Sequence, residues 1–131
     1  MRKIMLFFLL IGLFSCKNQE EYNKINRYDI FEINREKYYI LIYLNGCMAC
    51  RDVRNRINHM DKNLYDIFYY DNLEENKELM STTFVSNVNI DNYQDIKVKK
   101  TPTLFLIENH MIVSEWVKSS VILSYFNELE K

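Results

Sequence analysis

Glycine, proline and histidine are scarce in this chain of 131 residues, which contains two glycines, one proline and two histidines. The chain also lacks a run of basic residues and has a formal net charge of −1, so we expect no nucleic-acid partner. Its length predicts one domain, and we find no internal repeat. Because 48% of the residues are hydrophobic, with many tyrosines and phenylalanines, the chain can form a folded core.

No apolar run is long enough for a typical membrane-spanning helix, which needs about 20 residues. The longest run, "IMLFFLLIGLF", has eleven residues and follows Arg2 and Lys3, as in the core of a signal peptide. It ends in "LFSC", which resembles the signal of a bacterial lipoprotein. We therefore predict that residues 1–15 are removed and that Cys16 is lipidated. The alternatives are an ordinary cleaved signal and an uncleaved anchor, and each of them also exports the domain.

The signal predicts a place in the bacterial cell envelope, outside the cytoplasm, with membrane attachment through the lipid on Cys16. Three cysteines in an exported protein leave one without a partner. If Cys16 carries lipid, Cys47 and Cys50 remain as a pair. The polar residues 16–27 are interpreted as a tether, and residues 28–131 as the folded domain.

The hydrophobic pattern predicts an α/β fold with a central mixed sheet, flanked by helices on both faces. The run "YYILIYL" is typical of a strand buried on both faces, and the spacing of Val53, Ile57 and Met60 predicts an amphipathic helix. Two strands separated by "ENHM" predict an antiparallel hairpin. Strands are predicted at 38–44, 65–70, 103–107 and 112–117, and helices around 53–60, at 73–84 and from 119 or 120 to 129.

The last helix is predicted to begin with Ser119 or Ser120 as its cap. Its packed face is expected to carry five residues: Val121, Ile122, Tyr125, Phe126 and Leu129.

The sequence "NGCMAC" lies between the buried strand and the amphipathic helix. At the start of a helix, Cys47 faces free backbone N–H groups and the positive end of the helix dipole, which favour a thiolate. Cys50 lies one turn later, within reach of a disulfide bond. This placement predicts that Cys47 attacks a disulfide and that Cys50 resolves the product. Gly46 permits a tight turn into the helix and leaves the sulfur uncovered.

Two other interpretations of the cysteine pair are a structural disulfide and half of a zinc site. Zinc needs four ligands, and only His59 and His110 are available as further histidines. We expect both to be solvated, and we expect no metal. Covalent haem attachment needs a histidine after Cys50, where the chain has Arg51. The expected redox group is therefore the Cys47–Cys50 disulfide itself, without a cofactor.

The single proline, Pro102, stands in "KVKKTPTLFLI", directly before a predicted strand. Proline is the residue that tolerates a cis peptide bond, and a cis proline normally has a structural purpose. We therefore predict a cis bond between Thr101 and Pro102. The alternative is an ordinary trans proline at the start of a strand.

These motifs, in this order, resemble the thioredoxin superfamily over roughly Arg27–Lys131. The resemblance implies a thioredoxin-like fold in which a cis proline packs against the disulfide. It also implies that Cys47 is the nucleophile, that Cys50 is the resolving thiol, and that Thr101 and Pro102 form a substrate platform beside Gly46.

Several positions depart from the pattern of thioredoxins. Gly46 replaces the usual tryptophan, and Met48-Ala49 replaces Gly-Pro. Leu41 stands where the family has a buried aspartate, and His110 stands where the hairpin turn usually has glycine. These departures favour a specialised exported relative over a general thioredoxin.

The function expected first is a membrane-tethered thiol–disulfide oxidoreductase that acts on protein substrates with thiols or disulfides and needs an unidentified redox partner. The alternative is a non-catalytic accessory lipoprotein that uses the same fold as a binding module, for example beside an exporter.

Overall fold

The computed structural model describes residues 23–61, 63–73, 75 and 77–131. The predicted signal peptide and Cys16 lie outside these residues. The described chain forms two 3₁₀ turns, Arg27–Asp29 and Tyr93–Asp95, and six longer elements. In chain order these are β1 (Lys37–Tyr43), α1 (Met48–Asn58), β2 (Ile67–Asp71), β3 (Thr103–Glu108), β4 (Met111–Val117) and α2 (Ser119–Leu129).

The four strands form one mixed sheet in the order β2-β1-β3-β4. Strand β1 pairs in parallel with β2 and antiparallel with β3, and β3 and β4 form the antiparallel hairpin. All residues of β1 except Lys37 are buried, as expected for a strand paired on both edges and covered on both faces. The predicted α/β fold with a central mixed sheet is confirmed.

A short segment before the first 3₁₀ turn extends this sheet. The Ile25 N–H donates to the Tyr69 carbonyl, and the Tyr69 N–H donates to the Asn23 carbonyl, each at 2.9 Å. Lys24 thus lies beside Tyr69 in a parallel bridge on the outer edge of β2. The sequence analysis assigned these residues to the tether because they are polar. Their backbone groups nevertheless complete the sheet edge.

Both α-helices pack against one face of the sheet. Val53 and Ile57 of α1 and Ile122 and Phe126 of α2 join a buried cluster that includes Leu41 of β1. This confirms the amphipathic helix after the cysteines and most of the predicted packed face of α2.

Two details of α2 differ from the prediction. Val121 is 44% exposed, so it does not belong to the packed face. The residue at the N-cap is Lys118, with φ of 79° and no side-chain cap hydrogen bond, while Ser119 is already the first helical residue. The Lys118 N–H donates to the Pro102 carbonyl at 3.1 Å, and this tertiary contact determines where the helix begins.

The sequence predicted helices on the other face of the sheet as well, but among the described residues that face is covered by 3₁₀ turns and loops, with buried side chains from Ile30, Phe31, Leu79, Ile96 and Val98. The helix predicted at 73–84 is wrong: the described residues of that span form turns and a single bridge at Met80. Lys77 has a left-handed φ of 56°, which interrupts helical hydrogen bonding. Val98 pairs with this segment, since its N–H donates to the Leu79 carbonyl and its own carbonyl accepts from the Ser81 N–H.

Within the described part of the chain, neither α-helix has the length and apolar character that a membrane-spanning helix needs.

Replacing Phe126 by alanine should lower the free energy of unfolding by about 3–5 kcal/mol, because the ring is fully buried between α2 and the sheet. Val121→Ala on the same helix is the matched control and should change it by less than about 0.5 kcal/mol, because that side chain is exposed. Urea unfolding measures both. Equal losses for the two variants would contradict this packing of α2.

Candidate active site

The turn from β1 into α1 is closed by a hydrogen bond from the Cys47 N–H to the Leu44 carbonyl, at 3.2 Å. Gly46 occupies the third position of this turn with φ of +88°, a conformation that side chains rarely adopt. A Cβ atom built on Gly46 would meet no atom within 4 Å. The glycine is therefore required by backbone conformation and not by crowding.

Cys47 is the N-cap residue of α1, and its sulfur is the capping group. The Cys50 N–H donates to Cys47 Sγ at 3.2 Å, and the Arg51 N–H donates to the Cys47 carbonyl at 3.1 Å. A donor aimed at the sulfur stabilises negative charge there. Cys47 is partly exposed, whereas Cys50 is buried, so Cys47 is the cysteine of the pair that lies at the surface.

Cys50 is fully buried one turn into α1, and both cysteines are free thiols in this structure. Burial away from water is the main reason that the pKa of Cys50 is raised to about 11, and the neighbouring Cys47 sulfur raises it further. Hydrogen bonding to the Leu44 backbone and the Thr101 side chain acts in the opposite direction. At neutral pH, Cys50 therefore keeps its proton.

The predicted cis bond between Thr101 and Pro102 is confirmed. Pro102 is buried and directly precedes β3, where Thr103 pairs with Ile42 near the carboxyl end of β1. The interaction between Thr101 and Cys50 brings this turn to the cysteine pair. The structure thus places Cys47, Cys50, Thr101 and Pro102 at one edge of the sheet, together with the turn that contains Gly46.

Leu41 is fully buried in the same cluster as Cys50. As the sequence indicated, this position offers an apolar side chain and no buried acid near Cys50. A buried carboxylate does occur at Asp71, which is 2% exposed and lies beside Tyr43 at the end of β2. Its Oδ1 accepts from the Leu73 N–H at 3.0 Å, so it closes the turn after β2. The sequence analysis did not single out Asp71 as the residue that closes this turn. Its place at the end of the strand sequence "YDIFYYD" was a signal that could have identified it.

Each of the two histidines forms a hydrogen bond with a backbone carbonyl group. His59 is the C-cap residue of α1, where Nδ1 hydrogen-bonds the Asn55 carbonyl at 2.7 Å. His110 lies with Asn109 in the two-residue turn between β3 and β4, both with positive φ, as a tight hairpin requires. Its Nδ1 hydrogen-bonds the Phe31 carbonyl at 2.6 Å. Among the described residues, no cluster of three or more potential metal ligands occurs.

Three solved structures show the fold. Mitochondrial thioredoxin 3 from Saccharomyces cerevisiae, in its oxidized form, is 12% identical with a TM-score of 0.60, over 82% of this chain and 92% of that one. Thioredoxin f2 from Chlamydomonas reinhardtii is 12% identical with a TM-score of 0.57, over 81% and 94%. Fasciola hepatica thioredoxin is 13% identical with a TM-score of 0.54, over 79% and 90%.

No family model matches the chain, and no curated protein matches it. At these identities, the structural likeness shows the fold alone, and that fold is the thioredoxin fold.

Iodoacetamide at neutral pH should modify Cys47 at least about tenfold faster than Cys50 in the folded, reduced protein. The reason is that Cys50 is buried and has a raised pKa of about 11. Peptide mapping by mass spectrometry measures each cysteine separately. In Cys47→Ser, burial still raises the pKa of Cys50, so its modification rate should keep rising as the pH increases above neutrality.

The control is the same reaction in denaturant, where the two rates should converge. Equal rates in the folded protein would contradict the assignment of Cys50 as the protected thiol.

Proposed function

We propose that this protein is a thiol–disulfide oxidoreductase that acts on protein disulfides through Cys47 and Cys50. One observation carries the proposal: the sulfur of a partly exposed cysteine at a helix start accepts the backbone N–H of a second, buried cysteine. The cis Thr101–Pro102 turn lies beside that second cysteine. The thioredoxin fold supports the proposal because this is the arrangement that its redox site uses.

In the reducing direction, the Cys47 thiolate attacks one sulfur of a substrate disulfide. A mixed disulfide forms, the substrate S–S bond breaks, and the other substrate sulfur leaves as a thiolate that takes a proton. Cys50 then loses its proton and attacks Cys47 Sγ. The Cys47–Cys50 disulfide forms and the second substrate thiol leaves, so two electrons pass from the protein to the substrate.

The same two steps run backward when the protein oxidises a substrate. The reduction potential of the pair decides the direction, and a redox partner must restore the starting state. In this proposal, the substrate chain lies along Thr101 and Pro102, close to Cys47. Gly46 contributes by shaping the turn that presents the sulfur, since it has no side chain to cover it.

We also propose that the domain works outside the cytoplasm in a bacterial cell envelope, held at the membrane by a lipid on Cys16. The support is the sequence signal described above, a short apolar run that ends in "LFSC". The domain then meets exported proteins, in which disulfides form and persist.

One observation favours the alternative of a non-catalytic binding module. Leu41 leaves an apolar side chain where an acid would take the proton of Cys50. A slow resolving step would follow if no other base took that proton. Insulin reduction separates the two functions, because a binding module with the same fold leaves insulin disulfides intact.

Replacing Cys50 by serine should trap substrates as mixed disulfides on Cys47, because the resolving thiol is missing. The adducts should disappear with reductant and should be found outside the cytoplasm. Cys47→Ser is the matched control and should trap few or none, because Cys50 is buried. Non-reducing gels with mass spectrometry measure the adducts. If neither variant captures a protein, the catalytic function is wrong.

Replacing Cys16 by serine should release the protein from the membrane fraction or leave its precursor uncleaved, because the residue that would carry the lipid is gone. Fractionation and immunoblotting measure both effects, with Ser15→Ala as a neighbouring control that keeps a small residue before Cys16. A processed Cys16→Ser protein that remains with the membranes would contradict lipidation at this position.

A further inference from the structure

Four lysines surround the Thr101–Pro102 turn. Lys97, Lys99 and Lys100 directly precede it, and Lys118 follows β4, where its backbone N–H donates to the Pro102 carbonyl. All four residues are exposed. In the part of the chain that the structure describes, none of them forms an ion pair. We call these four residues the lysine rim.

The lysine rim is a local feature. The whole chain has 17 basic and 18 acidic side chains, so its average charge predicts no basic surface. The positive charge collects where the proposed substrate platform lies. Because the four ammonium groups have no carboxylate partner among the described residues, they remain available to an anionic ligand.

A narrow groove of mixed polarity, with a volume of about 10 Å³, adjoins the lysine rim. It is lined by Phe84, Val85, Lys97, Lys99, Thr103 and Val117, among others. Phe84 is 60% exposed and Val85 is 45% exposed, which is unusual for large apolar side chains next to each other. The Lys99 ammonium lies 5.8 Å from the centre of the Phe84 ring.

One carboxylate, that of Glu115, lines the groove, and it is already hydrogen-bonded within the protein. The two oxygens of Glu115 accept hydrogen bonds from Asn87, one from its backbone N–H and one from its Nδ2, each at 3.0 Å. Asn87 Nδ2 also donates to the Lys97 carbonyl, and the Lys97 N–H donates to Asn87 Oδ1, each at 2.8 Å. This network holds the loop that carries Phe84 and Val85 against β4, and it leaves the lysine side chains free.

The groove lies on the face of the sheet opposite the cysteine pair. Thr103, which lines it, pairs with Ile42 of β1, and Ile42 belongs to the buried cluster on the face away from α1, whereas Cys50 belongs to the cluster under α1. The lysine rim therefore adjoins the redox site through the Thr101–Pro102 turn and not through the groove.

We propose that the lysine rim selects substrate proteins with acidic residues next to the reactive cysteine. This inference rests on the proposed function and names its substrate class. Carboxylates of the substrate pair with the ammonium groups of the lysine rim. An anionic membrane surface has the same charge, but the lysine rim borders the Thr101–Pro102 turn, along which the proposed function places the substrate chain.

The test uses the full chain and three disulfide peptides that are identical except for two flanking residues, which are Glu, Gln or Lys. At about 20 mM salt, the Glu peptide should exchange roughly three- to tenfold faster than the Gln peptide, and the Lys peptide should be slowest. At about 500 mM salt, the difference should vanish, because salt screens exposed charges. Equal rates for all three peptides at low salt would overturn the proposal.

The combined variant Lys97→Gln, Lys99→Gln, Lys100→Gln, Lys118→Gln, which neutralises the whole lysine rim, should bring the Glu/Gln rate ratio close to one. Lys37→Gln is the matched control: it removes one positive charge at the start of β1, at the opposite end of the sheet from Pro102, and should keep the wild-type ratio. A wild-type ratio in the combined variant would show that other groups select the substrate and would overturn the role of the lysine rim.

Two further measurements separate this inference from the proposed function. If no peptide exchanges, the oxidoreductase function is wrong. The charge preference is then tested separately, by measuring with fluorescence anisotropy how tightly the protein binds the same peptides with serine in place of cysteine. Preferred binding of the Glu peptide supports the inference, and equal binding overturns it. The second measurement tests binding of the Cys16→Ser protein to phosphatidylglycerol vesicles. If the protein binds the vesicles, the combined variant does not, and the peptides bind equally, then the lysine rim binds the membrane and the proposal is overturned.

Discussion

The pairing of β1 on both of its edges is the constraint on which the rest of the structure depends. Because β2 lies on one side and β3 on the other, the end of β1 meets the start of β3. The turn that presents Cys47 and the cis turn that precedes β3 are therefore brought to the same edge of the sheet, although about fifty residues separate them. The continuous burial of β1 keeps this register, since a shift by one residue would exchange the side chains of its two faces.

Burial also gives the two cysteines different environments. They are one helical turn apart on α1, and a hydrogen bond joins the Cys50 N–H to the Cys47 sulfur. The packing of α1 on the sheet leaves one sulfur partly exposed and encloses the other, which raises the pKa of Cys50 to about 11. A pair with one reachable sulfur and one protected thiol suits a reaction in which attack by an outer thiolate precedes resolution by an inner one.

The face opposite the α-helices shows how a small domain covers a sheet without long regular elements. Single apolar anchors such as Leu79 and Val98 lie on that face, and the polar residues between them form turns. Asn87 and Glu115 then hold the loop against β4. As a result, Phe84 and Val85 stay exposed beside the lysine rim. The groove beside the lysine rim is a consequence of this irregular cover.

The sequence by itself determined the strands, the two α-helices, the hairpin and the candidate site, because those signals are local. They include a continuous apolar strand, helical spacing after the cysteines, and a glycine and the single proline beside the reactive positions. Tertiary structure decided the rest. The span from 73 to 84 has helical composition, yet contacts with Val98 and a left-handed Lys77 hold it in turns. Lys118, the N-cap residue of α2, donates its backbone N–H to the Pro102 carbonyl, and the grouping of distant lysines depends on the register of β3 with β4. Local composition cannot specify these features, because each rests on a hydrogen bond or pairing between residues far apart in the chain.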